Sequence, residues 1–383
     1  MTGQPEHEPA VGTAKAENIG DKGSVPARQA HTERLLMVGR GLGRLLLFLV
    51  SLSLFVVSLE LIKGGATSAA ALIGGYLDID NALNALGFGW FSSYLVMSGS
   101  PVAAVSVAFL AAGALDQLSA YAMLVGSRLG ASFIVLFIGF LYILRGRERR
   151  AGLTMGLLAL VVTASVYLPA LVVGSLLLKY QIFASVKLGG GAVLSSAVER
   201  ALQPIVEPLS NLLPGWGVML AGLALLWVSF YLFDRALPEL DLEQSRFSEV
   251  ARLVYRPLPM LLLGSLITLL TLSVTLSLSL LVPLSARGYI RRENAIPYIM
   301  GANITTIIDT LLATVVLGSS DAFTVVLVTM VSVTLVSLAV LLLFFRPYQR
   351  RVLALVEWAV GSTRNLAWFM FIILSLPLAL MLF

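Results

Sequence analysis

The chain predicts an all-α polytopic membrane protein built from two inverted-topology repeats, each with a re-entrant helical hairpin and broken helices. Three features carry that expectation: the composition, the placement of basic clusters, and a gapless match of 97–130 onto 272–305. Of 383 residues, 58% are hydrophobic and 12% charged, and mean hydropathy is +0.92. Soluble domains carry about 25% charged residues, so this is membrane composition. The net charge of +5 comes from short basic clusters between apolar runs. That is the pattern of cytoplasmic loops rather than of a nucleic-acid-binding surface. The absence of cysteine excludes disulfides and thiol chemistry. The histidines, His7 and His31, both lie in the N-terminal tail, which leaves none for a membrane-embedded relay or a His-ligated metal.

Residues 1–33 are rich in Gly, Ala, Pro, Glu and Lys and read as a disordered cytoplasmic tail. Arg34, Arg40 and Arg44 precede the first span, 42–62, and place the N-terminus in the cytoplasm. Glu60 and Lys63 close that span and can pair locally. A first transmembrane repeat is expected over 34–178. Within it, GGATSAAALIGG (64–75) is too short to span. The run 82–113 is broken at MSGSP (97–101), where Pro101 and small residues interrupt a helix. Residues 119–144 and 151–178 are spans, separated by the basic loop RGRERR (145–150). An external linker follows over 179–214, with an amphipathic helix around 193–203. The second repeat is expected over 215–353: a span at 215–233, a mixed-charge connector at 234–256, the run 257–286, the segment around 298–316, and a span at 323–345. Residues 354–383 form an amphipathic segment and a final transmembrane helix.

Laying 97–130 on 272–305 without gaps places Ser98 on Ser273, Gly113 on Gly288, Ala120 on Ala295 and Gly126 on Gly301. The loops add the orientation. GALDQLS (113–119) carries Asp116, whereas its counterpart carries Arg291 and Arg292. At the same offset RGRERR falls on 320–325, where the only charge is Asp321. Where one copy is basic the other is not, so the copies should face opposite ways. Each then holds one hairpin whose tip lies near the bilayer midplane. Paired discontinuous helices in inverted repeats are the sequence pointer to a secondary transporter, with the site where the tips meet.

The segment Tyr298 to Val316 is the most polar of the apolar runs, interrupted by Asn303, Thr305, Thr306 and Asp309. A charge in mid-helix costs several kcal/mol, so Asp309 should face a partner or a water-filled site. Asn303 and the threonines can serve either a site or neighbouring helices, to which polar membrane residues often hydrogen-bond.

The string GANITT (301–306) resembles the second signature motif of the type II sodium/phosphate cotransporters and their bacterial relatives. GSRLGAS (126–132) resembles the first. In that family each motif follows a Q-S-S-S string by about thirty residues. Here the corresponding positions are Met97, Ser98, Gly99, Ser100 and Leu272, Ser273, Val274, Thr275. Both glutamines are replaced, Arg128 stands where the family has asparagine, and Asp309 is an added carboxylate. The resemblance covers roughly 42–345. It implies a phosphate and sodium site formed by Ser98, Ser100, Ser127, Ser273, Thr275, Asn303, Thr305 and Thr306, with Ser98, Ser273, Asn303 and Thr306 as candidate sodium ligands. Arg128 and Asp309, which the family pattern does not supply, join that site on their charge, since a guanidinium offers bidentate donors to an anion.

The function expected is secondary active transport of a small anion by alternating access, inorganic phosphate with sodium as the coupling ion. One alternative is proton-coupled transport of another anion through Asp309. Another is a non-transporting partner or sensor protein of the same fold, in which Arg128 and Asp309 only neutralise one another. No enzyme, organic cofactor, bound metal or nucleic-acid partner is expected. The partners are the anion, sodium and the lipid of the cell membrane, and a homodimer is an open expectation for the assembly.

Overall fold

The structure, a computed structural model, describes residues 27–73, 81–144, 149–183, 186, 191–236, 256–279, 281, 285 and 290–382. Every element among them is a helix: α1 (Ala27–Ile73), α2 (Ala82–Val96), α3 (Gly99–Ala111), α4 (Gln117–Leu144), α5 (Arg149–Lys179), α6 (Gly191–Leu212), α7 (Gly215–Ala236), α8 (Pro257–Thr271), α9 (Val274–Ser279), α10 (Arg292–Thr305), α11 (Ile308–Leu317), α12 (Ser320–Leu343), α13 (Phe345–Gly361) and α14 (Thr363–Leu380). Seven stretches among them are long and apolar enough to cross a membrane: Leu42–Ala66, Gln117–Leu136, Leu153–Lys179, Gly215–Phe233, Arg292–Leu317, Ser320–Leu343 and Thr363–Leu380. The chain is an all-α membrane-embedded protein. It divides into two compact units, Met1–Leu46 and Leu47–Phe383. In the first, the described residues 27–46 are helical, so helix begins inside the stretch expected to be a disordered tail. Ala27, Arg28, Gln29, Glu33, Leu35 and Leu36 are all good helix formers, which accounts for it.

The second unit is built around α2, α4 and α5. Gly126 of α4 lies against the backbone of Leu86 and Trp90, and Gly130, one turn on, lies against Trp90 and Ser93. The contacts advance together along both helices, so α2 and α4 run parallel. The chain between them, residues 97–116, must therefore return to the end from which it set out. The turn is made at Met97, whose backbone is left-handed (φ 54°), followed by extended Ser98. A similar construction recurs later in the chain. Gly301 of α10 lies against Leu261 and Ser265 of α8, and the Thr305 hydroxyl, one turn on, donates to the Ser265 carbonyl. Helices α8 and α10 are parallel too. Ala82 and Pro257, 175 positions apart in the sequence, both start helices, as do Gln117 and Arg292 at the same offset, and Leu272 (φ 46°) is left-handed as Met97 is.

Side-chain contacts sort the helix ends. The Gln117 amide donates to the Asp321 carboxylate at 3.0 Å. A cavity of about 610 Å³ is lined by Ala82, Asp116, Gln117 and residues 171–179 at the end of α5. These groups share one end of the bundle. At the other, Arg292 shares a cavity of about 230 Å³ with Thr154, Glu357 and Gly361. There the Gln349 amide donates to the Glu293 carbonyl at 3.3 Å. Helices α4 and α10 therefore start at opposite ends and run in opposite directions. Helix α14 lies antiparallel on α2, with the Tyr94 hydroxyl donating to the Ile373 carbonyl. From residue 47 onward α1 lies antiparallel on α7: Gly65 meets Gly215 and Met219, and the Ser229 hydroxyl donates to the Ser51 carbonyl.

The Glu60–Lys63 contact forms at 3.8 Å, but the helix continues past it to Ile73. The amphipathic helix expected around 193–203 is α6, and it runs longer. Of the connector expected at 234–256, residues 234–236 belong to α7 and Arg256 is the N-cap of α8, while 237–255 and most of RGRERR fall outside the described residues.

Candidate functional site

The segment expected as one helix from Tyr298 to Val316 is two. Helix α10 stops at Thr305, Thr306 and Ile307 form a turn, and α11 starts at Ile308. The cause is local. Ile304, Thr305, Thr306, Ile307 and Ile308 are five β-branched residues in a row, stiff at χ1 and poor helix formers. A helix end leaves its last four carbonyls and the next helix's first amides without intrahelical partners. The surrounding helices supply some of what is missing. Asn303 is among those last residues, and its carbonyl accepts from the Tyr167 hydroxyl of α5 at 2.9 Å. Its side-chain amide donates to Thr163 Oγ1, one turn earlier on α5, at 3.1 Å. The break is thus bound to α5 through two hydroxyls on one face.

Arg128 reaches the same break from α4. It stands eleven residues past Gln117, so about 16 Å along the helix and near half the ~30 Å of a hydrocarbon core. Its guanidinium is 2% exposed. Nη1 donates to Thr306 Oγ1 at 3.2 Å, and Nη2 donates to Asp309 Oδ1 at 3.2 Å and to Thr310 Oγ1 at 2.6 Å. Asp309 is in the first turn of α11, where a carboxylate complements the positive end of the helix dipole. Its Oδ1 also accepts from the Thr310 amide and hydroxyl. Arg128 Nε and Asp309 Oδ2 are buried without a hydrogen-bond partner. Tyr167 is within electrostatic reach of both charges. One cation is therefore held among a carboxylate and two hydroxyls at a helix break, with one N–H of the guanidinium and one oxygen of the carboxylate left over.

Of the site residues expected from sequence, Arg128, Thr306 and Asp309 come together, and Asn303 sits one turn back on the same break. Thr305 turns the other way, onto α8, where its hydroxyl donates to Ser265. The Ser127 hydroxyl donates to Leu124 of its own helix at 2.6 Å. Ser98 and Ser100 flank Gly99, which lies against the Ser127 carbonyl, so the turn at Met97 meets α4 one residue from Arg128. Both serines are half-buried. The Ser273 carbonyl accepts from the Thr271 hydroxyl, and the side chain of Thr275 lies outside the described residues. Beyond that turn, Thr268, Ser277 and Tyr298 form a hydroxyl chain joining α8, α9 and α10. Thr163, Tyr167 and Thr310 complete the site and were not expected. The first two are four residues apart in α5, a spacing that puts both on one helix face. Among the described residues no three His, Cys, Asp or Glu side chains could hold a metal together.

Comparison of the chain with protein-family models, curated proteins and solved structures finds no match to any of them.

Proposed function

We propose that this chain is a secondary active transporter of a small oxyanion, working by alternating access. The observation that carries the proposal is Arg128: a guanidinium 2% exposed, half-way along α4, bonded across to the break between α10 and α11. A buried charge at mid-helix is costly, and such residues mark ion and substrate pathways more often than packing. Broken helices whose N-terminal ends face an anion recur in transporters, and they belong to inverted repeats. The landmarks that recur at matched positions, and the opposite directions of α4 and α10, support two inverted copies. Helices α2–α3 and α8–α9 are the two re-entrant hairpins in this reading.

Arg128, Thr306 and Thr310 supply donors to the anion, and the N-terminus of α11 adds its dipole. Motion of one copy against the other then opens the site to each side in turn. Arg291, Arg292, Arg346, Arg350 and Arg351 all belong to the end where α10 starts, and the excess of basic residues in cytoplasmic loops favours that end as the cytoplasmic one. Inorganic phosphate with sodium is the first candidate pair, on the resemblance of GANITT and GSRLGAS. Asp309 favours a second coupling mode, since a buried carboxylate with one unpartnered oxygen can carry a proton instead. The ligand class is tested by thermal denaturation of the purified chain with phosphate, sulfate or chloride. Phosphate should raise the midpoint in the wild type and leave Arg128→Met unmoved. Equal response of the two proteins to phosphate would refute Arg128 as the anion ligand.

A further inference from the structure

The Arg128–Asp309 contact is an incomplete pair, and its incompleteness has a direction. A guanidinium and a carboxylate that serve only each other commonly meet fork to fork, two N–H groups on two oxygens. Here one oxygen serves alone: Asp309 Oδ1 accepts from Arg128 Nη2 at 3.2 Å and from the Thr310 hydroxyl at 2.9 Å. Asp309 Oδ2 and Arg128 Nε have no partner, although the two side chains are only 9% and 2% exposed. Nε and Nη2 are the side-on fork of a guanidinium, shaped for an anion that presents two oxygens at once. That fork is half used. A buried donor or acceptor left unsatisfied is unfavourable, so a ligand able to satisfy the fork has free energy to gain.

We propose that Asp309 is a tethered counter-anion for Arg128, and that an oxyanion of the phosphate type enters by displacing the Asp309 carboxylate from this fork. The inference rests on Arg128 being the anion ligand. Exchange of one anion for another keeps the guanidinium neutralised throughout, and the displaced Asp309 carboxylate is matched by the coupling sodium ion or proton rather than left as a bare buried charge. It also has a mechanical consequence. Asp309 Oδ1 is one of the bridges from α4 to α11, and its release leaves only the Arg128 contacts to Thr306 and Thr310 while the Thr310 hydroxyl turns from Asp309 onto the incoming anion. Binding of the anion and loosening of the contact between α4 and α11 become one event. Specificity follows from the fork, because a monatomic anion offers a single acceptor and satisfies it no better than Asp309 does.

The test is inorganic phosphate binding to the purified full-length chain, by calorimetry, for wild type and Asp309→Asn. With the competing carboxylate removed, Asp309→Asn should bind phosphate roughly tenfold tighter, the scale of a typical coupling between sites. Equal or weaker binding by a folded Asp309→Asn overturns the proposal, as does phosphate that binds neither protein. Should Asp309→Asn not survive purification, the wild type answers alone through a hydrophobic carbodiimide, read as the mass of the peptide bearing Asp309. Phosphate should speed that labelling because the carboxylate has left the guanidinium, and unchanged or slower labelling refutes the exchange. Tighter binding by Asp309→Asn without phosphate uptake in proteoliposomes would leave the exchange standing and remove transport.

Discussion

Arg128 sets the terms at the scale of single residues, because a guanidinium in an apolar bundle must be matched group by group. Its partners all come from the break in the opposite half, so removing one charge strands the other. Arg128→Met and Asp309→Leu should each cost about 3–5 kcal/mol, and the double variant should recover much of that loss. Thermal denaturation in detergent reads all three. Tyr167→Phe should cost about 1–3 kcal/mol, since the Asn303 carbonyl loses the hydroxyl that satisfies it at a helix end. The Arg128, Asn303, Thr306 and Asp309 part of the site was legible in the sequence because amide, hydroxyls and charges stand out against apolar neighbours. Thr163 and Tyr167 were not. A hydroxyl in a membrane helix usually bonds its own backbone, as Ser127, Ser106 and Thr329 do here. Thr163 and Tyr167 are among those that bond across to another helix, and their sequence context does not single them out from the rest.

Among elements, the two left-handed turns and the glycine contacts define the architecture. Met97 and Leu272 hold positive φ without being glycine, a conformation that costs about 1–3 kcal/mol and is worse still for β-branched residues. Met97→Gly and Leu272→Gly should be neutral or stabilising, whereas Met97→Val and Leu272→Val should lose about 1–3 kcal/mol. The glycines supply a second check. A Cβ at Gly126 would strike the Leu86 carbonyl, and one at Gly301 the Leu261 carbonyl, while Gly361 faces open space. Gly126→Ala and Gly301→Ala should each destabilise by about 1–3 kcal/mol, with Gly361→Ala unaffected. The interruption at 97–101 was readable from Pro101 and its small neighbours. The break at Thr306 was not, since apolar periodicity runs straight through it. The run of β-branched residues at 304–308 was the available signal.

For the whole molecule, the opposite directions of α4 and α10 rest on contacts between helix ends that no single stretch of sequence contains, although the loop charges pointed the same way. Exposed Asp116 and Arg350 lie at opposite ends, and the chain has no cysteine. Cysteines placed at the two positions should therefore label from opposite sides with an impermeant thiol reagent. Labelling of both from one side would overturn the proposed topology. The transport claim is tested most directly by uptake of labelled phosphate into proteoliposomes, with an inward sodium gradient, an inward proton gradient, or none. Wild type should accumulate phosphate under one of the gradients. The Arg128→Met/Asp309→Leu double variant, which keeps the fold but loses the guanidinium, should accumulate none. Uptake by that double variant equal to wild type, or no gradient-driven uptake by the wild type, would contradict the account.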